Sequence, residues 1–218
     1  QIIDDLDAII PRIGASNTYR GASIVRHFEA MGVFSIASSK GIVTSRDKWT
    51  CFQILAQKGI AMPKTTLGSS PYLDAFVKDF GDHPIIIKIL EGTHGQGVIL
   101  CENYKNALAT AQTLQSAKVK FVMQEFIAEA QGTDIRAFVI DRQVVAAIKR
   151  TSKNGDFRSN LHQGGSAKSI QLSNTEKQLA VAAAKALDLS VCGVDMLASK
   201  RGPLVLEVNS TPGLEGIE

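Results

Sequence analysis

Leu204-Val205-Leu206-Glu207-Val208-Asn209-Ser210-Thr211-Pro212-Gly213 is the stretch on which the reading of this chain turns. Apolar residues flank Glu207 on both sides, and Pro212-Gly213 closes the run, which predicts a strand ended by a turn. Glu207 and Asn209 are two apart, so on a strand they project from the same face. The preceding apolar run, residues 191–197, is interrupted by Asp195. The two runs predict a hairpin, with strands over 191–198 and 203–209. An odd loop centred on Arg201 places Asp195 directly across from Glu207. Two carboxylates and an amide oxygen then converge as hard oxygen donors, suited to Mg²⁺ or Mn²⁺ with a substrate phosphate completing the shell. The same alternation also fits a half-exposed hairpin with both acids in solvent.

Upstream of this hairpin the chain is strand-rich from about residue 119. One strand is expected over 119–127, and a hairpin over 133–140 and 143–150 turns about Asp141-Arg142. Residues 152–167 read as a polar, glycine-containing loop. Ser173 and Glu176 form a capping-box pattern that opens an alanine-rich helix to about residue 187. Between 142 and 168 stand Arg142, Lys149, Arg150, Lys153, Arg158 and Lys168 against one acid, Asp156. Charge runs are usually solvated faces, but Arg158-Ser159-Asn160 lies amid Gly155, Gly164 and Gly165, a loop suited to phosphate or carboxylate. Arg136 fits either a bidentate carboxylate clamp or a surface ion pair.

Residues 44–118 have a different character. Ser45 is positioned to cap a helix from 46 to about 58, with Gly59 as its stop. Ser70-Pro71 opens a second helix that ends before Gly81. A strand over 84–90, a glycine-rich turn and a strand over 97–101 follow, then a helix over 103–116. The turn Glu91-Gly92-Thr93-His94-Gly95-Gln96-Gly97 matches neither standard phosphate fingerprint. It reads as a hairpin tip whose backbone N–H groups, those of Gly95 and Gly97 included, fold over phosphates, or as a loose turn with surplus glycine. Lys88 sits inside an apolar run, where a lysine is costly unless an anion accompanies it or the strand is an edge that lets the amine snorkel.

Residues 1–43 read as strand, helix and strand, over 7–11, 19–31 and 33–37. Two strands and one helix close no core alone, so the reading takes them as the end of a doubly wound unit and the chain, which begins at Gln1, as a fragment. The whole has 218 residues with 24 Lys+Arg against 21 Asp+Glu, a net +3. That balance argues against a nucleic-acid or anionic-membrane binder. No apolar run approaches the ~18 residues of a membrane span, and no signal peptide is visible. Three cysteines, odd in number and far apart, point to a reducing cytoplasm, and the four histidines make no metal-ligand pair, which argues against zinc.

Together these features resemble the ATP-grasp family, and within it the RimK-type ribosomal protein glutamate ligases. The resemblance is carried by Pro11-Arg12-Ile13-Gly14, Arg46-Asp47-Lys48, Lys88-Ile89-Leu90-Glu91-Gly92-Thr93, Gln124-Glu125-Phe126, Gly155-Asp156-Phe157-Arg158-Ser159-Asn160, Gly193-Val194-Asp195 and the Glu207-to-Gly213 ending. It implies an α+β fold in which two subdomains, 44–118 with the glycine lid and 119–218 with the metal site, grip ATP. Residues 1–43 would be the C-terminal part of an α/β pre-ATP-grasp domain. By the same likeness Lys48 and Lys88 take nucleotide phosphates, and Glu125 and Phe126 form the hinge where adenine rests. Asp134 lies beside the ribose, and Arg158, Ser159 and Asn160 reach the phosphates and an acyl-phosphate. Asp195, Glu207 and Asn209 hold two Mg or Mn ions, and Arg136 and Arg158 meet substrate. The implied activity is glutamate ligation to the C-terminus of a small-subunit ribosomal protein, through ATP activation of a carboxylate. Two alternatives are ligation of other substrates on the same fold (an amino-group carrier, a cofactor γ-glutamyl group, a peptide macrocycle) and a regulatory module that grips nucleotide without turnover. Family members are often oligomeric, which leaves a homo-oligomer open.

Overall fold

Two antiparallel sheets follow from the alternating strands, and the computed structural model describes residues 5–90, 97–153, 156–157 and 165–216. The chain opens with β1 (Ala8–Ile9), α1 (Thr18–Ala30) and β2 (Phe34–Ser35). The two strands pair in parallel, as a crossover through one helix requires. Gly32 ends α1 at φ +81°, a conformation that favours glycine.

The next segment departs from expectation. Ser45 does not cap a helix; it lies buried inside α2 (Ser39–Arg46), with its Oγ donating to Ile42 O. Two helices stand where one was expected. Ser38 caps α2 by accepting from Gly41 N, and Asp47 caps α3 (Lys48–Gln57) by accepting from Thr50 N. The expected boundary between residues 43 and 44 therefore falls within α2. Gly41 lets α2 lie against the end of a later helix: a Cβ there would sit 2.8 Å from Leu187 O.

The smaller sheet has the order β3 (Thr65–Leu67), β6 (Phe121–Glu125), β4 (Ile85–Ile89), β5 (Val98–Cys101). One face is covered by α4 (Leu73–Lys78) and α5 (Tyr104–Ser116), which bury Ile85, Ile87, Phe121 and Met123 together with Val77 and Ala111. α4 starts at Leu73, two residues later than the proline pattern predicts, and Ser70 Oγ instead accepts from Tyr72 N in a turn. Because strand side chains alternate, Ile86, Lys88 and Gln124 point to the opposite face. Strand β4 is flanked by β6 and β5, so Lys88 is not on an edge and the snorkelling alternative fails.

The larger sheet has the order β11 (Gly202–Asn209), β10 (Val191–Ser199), β7 (Thr133–Ile140), β8 (Gln143–Thr151), β9 (Ser166–Ser169). Strand β9 lies within and just beyond the stretch read as loop; it is exposed and polar, and pairs along the edge of β8. The turn at Asp141-Arg142 has φ of +42° and +67°, the left-handed pair of a tight hairpin turn. Helix α6 (Asn174–Ala186) opens on the Ser173/Glu176 capping box and lays Ala180, Ala183 and Ala184 on the sheet. Asp195 does pair with Glu207, but not through an odd loop. Ser199 pairs with Gly202 around a two-residue turn, and a β-bulge between Asp195 and Met196 absorbs Leu206.

Candidate active site

A cleft of about 770 Å³ lies where the open face of the smaller sheet meets the larger one. Lys88 enters it from β4, Lys48 from the first turn of α3, and Asp195, Glu207 and Asn209 from β10 and β11. Gly97 packs on Ile89, a lining residue, with φ +77° and an imagined Cβ 2.9 Å from Ile89 Cβ. Gly95, Arg158, Ser159 and Asn160 fall outside the described residues.

Lys88 Nζ donates to Gln124 Oε1 at 2.6 Å, and Gln124 Nε2 donates to Thr65 Oγ1 at 2.9 Å. Gln124 is 1% exposed, so this chain of bonds fixes the ammonium on the floor of the cleft. Burial pushes Lys88 down to about 8, with the charge of Lys48 adding to the effect and Glu207 and Asp195 opposing it. An anion is what such a lysine lacks.

Asp195 is 3% exposed and accepts a bidentate pair from Arg136, Nε to Oδ1 and Nη2 to Oδ2, both at 2.7 Å. Of the two readings of Arg136, the carboxylate clamp is the observed one, and its carboxylate is internal. Arg150 Nη2 also donates to Asp195 Oδ2, at 2.8 Å, while its Nε and Nη2 grip both oxygens of Asp134. Burial works against the charge of Asp195, but the two guanidiniums outweigh it and hold the carboxyl below its usual range. Asp134, expected beside a ribose, thus lines the cleft with both oxygens held by Arg150. Glu207 has no hydrogen bond or ion pair among the described residues. The donor set of Asp195, Glu207 and Asn209 is hard oxygen, which fits a divalent cation of the Mg²⁺ or Mn²⁺ kind. It holds two acids and an amide; among the described residues no three His, Cys, Asp or Glu gather at one point.

Glu125 and Phe126, expected at the hinge, stand at the cleft edge. Glu125 N donates to Lys64 O at 2.8 Å, and its Oε2 accepts from Arg201 Nη2 at 2.7 Å, tying β6 to the β10–β11 turn. Phe126 meets Phe157 edge-on, with ring centroids 6.4 Å apart. Arg46 lines the cleft and donates to Ile13 O, Gly14 O, Thr18 Oγ1 and Thr211 Oγ1. Cys51 lines the cleft too, with burial first and Glu207 second pushing its thiol up to about 12, so it is no nucleophile. Gln124 and Arg150 are the residues that reading by motif passed over as site members. The signal for Gln124 was its two-residue-alternate position opposite Ile86, on the face that carries Lys88.

Comparison with known proteins places this arrangement. The RimK-like ATP-grasp domain matches residues 45–218, and the RimK PreATP-grasp domain matches residues 1–42. The chain belongs to the RimK-like ATP-grasp family. Among RimK-like relatives, the probable alpha-L-glutamate ligase of Vibrio parahaemolyticus serotype O3:K6 (strain RIMD 2210633) is 51% identical over 213 residues, covering 97% of this chain and 71% of the relative. That of Coxiella burnetii (strain RSA 331 / Henzerling II) is 52% identical over the same coverage. Among solved structures, the ATP-grasp ligase PsnB complexed with a phosphomimetic variant of minimal precursor, Mg and ADP aligns with TM-score 0.70 and 23% identity, covering 93% of this chain. The chain spans 62% of that PsnB chain. The RimK domain protein ATP-grasp from Sphaerobacter thermophilus DSM 20745 aligns with TM-score 0.70 and 19% identity, covering 96% of this chain and 75% of the other. These structural likenesses establish the ATP-grasp fold. Among the described residues no helix is long and apolar enough to cross a membrane.

Proposed function

We propose that this RimK-like chain carries the catalytic centre of an ATP-dependent carboxylate–amine ligase that adds L-glutamate to the C-terminus of an acceptor protein, a small-subunit ribosomal protein being the favoured acceptor. One observation carries the reading: the buried ammonium of Lys88, held by the neutral Gln124, faces the oxygen donors of Asp195, Glu207 and Asn209 across one cleft. A triphosphate with its divalent ions satisfies both at once. The relatives at about half identity, named probable alpha-L-glutamate ligases, supply the amino acid. The residues 44–118 and 119–218 then serve as the two jaws, with residues 1–43 as the end of the pre-ATP-grasp domain, and the buried, unpaired cysteines suit a cytoplasmic protein.

In this reading the acceptor carboxylate takes the γ-phosphoryl group of ATP, giving an acyl-phosphate and ADP, and the amine of glutamate displaces phosphate to form the amide. Asp195, Glu207 and Asn209 would hold two Mg²⁺ or Mn²⁺ ions, which offset the repulsion between the anionic carboxylate and triphosphate. Lys88, held by Gln124, and Lys48 bind and orient the phosphates. Glu125 and Phe126 line the adenine end, Asp134 the ribose side, and the Gly95 and Gly97 region excludes water. Arg158, with Ser159 and Asn160, stabilises charge on the transferred group, and Arg136 and Arg158 receive the substrate's anionic oxygens. The test is mass spectrometry of candidate acceptor proteins incubated with the full-length enzyme, ATP, Mg²⁺ and glutamate. Mass increments of glutamyl residues support it. ADP release with a different amine, and no glutamyl addition to any acceptor, replaces it with ligation of other substrates.

A further inference from the structure

Four hydrogen bonds hold Asp195. Its Oδ1 accepts from Arg136 Nε at 2.7 Å, and its Oδ2 accepts from Arg136 Nη2 at 2.7 Å, Arg150 Nη2 at 2.8 Å and Asn209 Nδ2 at 3.4 Å. Three donors crowd Oδ2, and Arg136 Nε is the one donor on Oδ1 among the described residues, so a cation approaching either oxygen meets the Arg136 guanidinium. The two guanidiniums also repel an approaching dication.

The donors are not equally fixed. Arg150 is anchored independently, since Asp134 takes its Nε at 2.6 Å and shares its Nη2, and its side chain is 6% exposed. Arg136 has Asp195 as its one ion-pair partner among the described residues, and its side chain is 16% exposed. Its stem passes Gly193, where a Cβ would make ordinary contact with Arg136 Cδ at 3.6 Å and would press Pro212 Cβ at 2.9 Å. One arginine therefore has a second carboxylate to anchor it, and the other has Asp195 alone among the described residues.

We propose that Arg136 occupies the metal position of Asp195 in the nucleotide-free protein and gives it up when a substrate anion enters the cleft. Arg136 moves from the carboxylate to the incoming phosphate or carboxylate oxygen, and the freed Oδ1 of Asp195 passes to the divalent ion. Metal binding is thereby tied to substrate binding: Arg136 is a positioning residue that keeps the bare cation out until the anion arrives. This rests on the metal assignment made under the proposed function.

The experiment is an electron paramagnetic resonance titration with Mn²⁺ alone, on the full-length protein without nucleotide. Wild type is expected to bind Mn²⁺ weakly. Arg136→Met keeps the stem and removes the guanidinium, and is expected to bind Mn²⁺ about tenfold tighter or more, a gain that Asp195→Asn in the same chain erases. Arg136→Lys retains a cation but surrenders one of the two bonds, so it gains less than Met and serves if the Met variant does not fold, as read by circular dichroism. Equal Mn²⁺ affinity in wild type and both Arg136 variants, with Mn²⁺ taken up by all three once ADP is present, overturns the proposal and leaves the metal assignment standing. No protein-bound Mn²⁺ in any of them, ADP present or absent, overturns the metal assignment itself.

Discussion

Arg150 stands directly across the β7–β8 ladder from Asp134, although the turn that joins the strands sets a different partner. Around Asp141-Arg142, Ile140 pairs with Gln143, a register that would bring Lys149 to Asp134. The irregularity between Phe138 and Val139 absorbs Val145, and the partner becomes Arg150. A guanidinium can hold Asp134 bidentately and still reach Asp195, which a lysine ammonium cannot do with the same geometry. Both hairpins of the larger sheet thus combine a two-residue turn with one bulge to deliver a charged pair to the cleft.

Removing one partner of that pair should be expensive. Asp134→Ala leaves Arg150, buried, with one of its three carboxylate hydrogen bonds, and the expected loss is about 3–5 kcal/mol of unfolding free energy. Asp134→Asn retains one acceptor and should lose less. Denaturant unfolding of both variants, with unchanged slopes, checks the order.

The protonation of Lys88 should appear in nucleotide binding. Its ammonium titrates near 8 in the free protein, and a bound triphosphate favours the charged form. Affinity for ATP measured without metal should therefore hold steady below about pH 8 and fall above it, by up to about tenfold per pH unit. Lys88→Met should bind weakly at every pH with that dependence gone. An unchanged profile in the variant would assign it to another group.

Glu207→Ala removes the carboxylate that has no partner of its own among the described residues. Ligation should fall by about 10²-fold or more, as for loss of a group that stabilises developing charge. Nucleotide binding in metal-free buffer should persist, since Lys88 and Lys48 are untouched. Full turnover in this variant would refute the metal assignment.

Gly41→Ala tests packing against propensity. Alanine is favoured over glycine in a helix by about 1 kcal/mol. Here its methyl would meet the backbone oxygens of Leu187 and Asp188, at 2.8 and 2.9 Å, which cannot yield as a flexible side chain would. The variant should be destabilised by about 1–3 kcal/mol, visible as a lower melting temperature. Arg201→Ala, which opens an ion pair with Glu125 in which Arg201 is 58% exposed, should change stability by about 1 kcal/mol or less.

Much of this architecture was legible because its signals are local. The Ser173/Glu176 box, the Asp141-Arg142 turn and the alternation around Glu207 each depend on a few neighbouring residues, and each element stands where those residues indicate. Helix α2 escaped because Ser39, Lys40 and Gly41 carry little apolar periodicity; its helicity rests on the cap at Ser38 and on tertiary contact with the end of α6. Strand β9 escaped because an exposed edge strand of Ser166, Ala167, Lys168 and Ser169 buries nothing. In the site, Glu207 and Asn209 could be read from one strand's spacing, and the pairing of Asp195 with Glu207 was reached by the wrong loop. The second role of Arg150 depended on a bulge, and no local pattern announces where a ladder takes up one extra residue.

Arg46 has a reach beyond the cleft it lines. Its guanidinium holds the carbonyls of Ile13 and Gly14, the hydroxyl of Thr18 and that of Thr211, so residues far apart in the chain meet at one side chain. Arg12 adds a bond to Pro212 O at 3.3 Å. The turn that follows Asn209 is therefore braced by Arg46 and by the amino-terminal segment. Grafting the amino-terminal segment of a distant relative onto residues 45–218 would exchange that brace along with it, and a chimera with both matched domains intact would inherit a slack turn after Asn209 unless the contacts of Arg46 travelled with the graft.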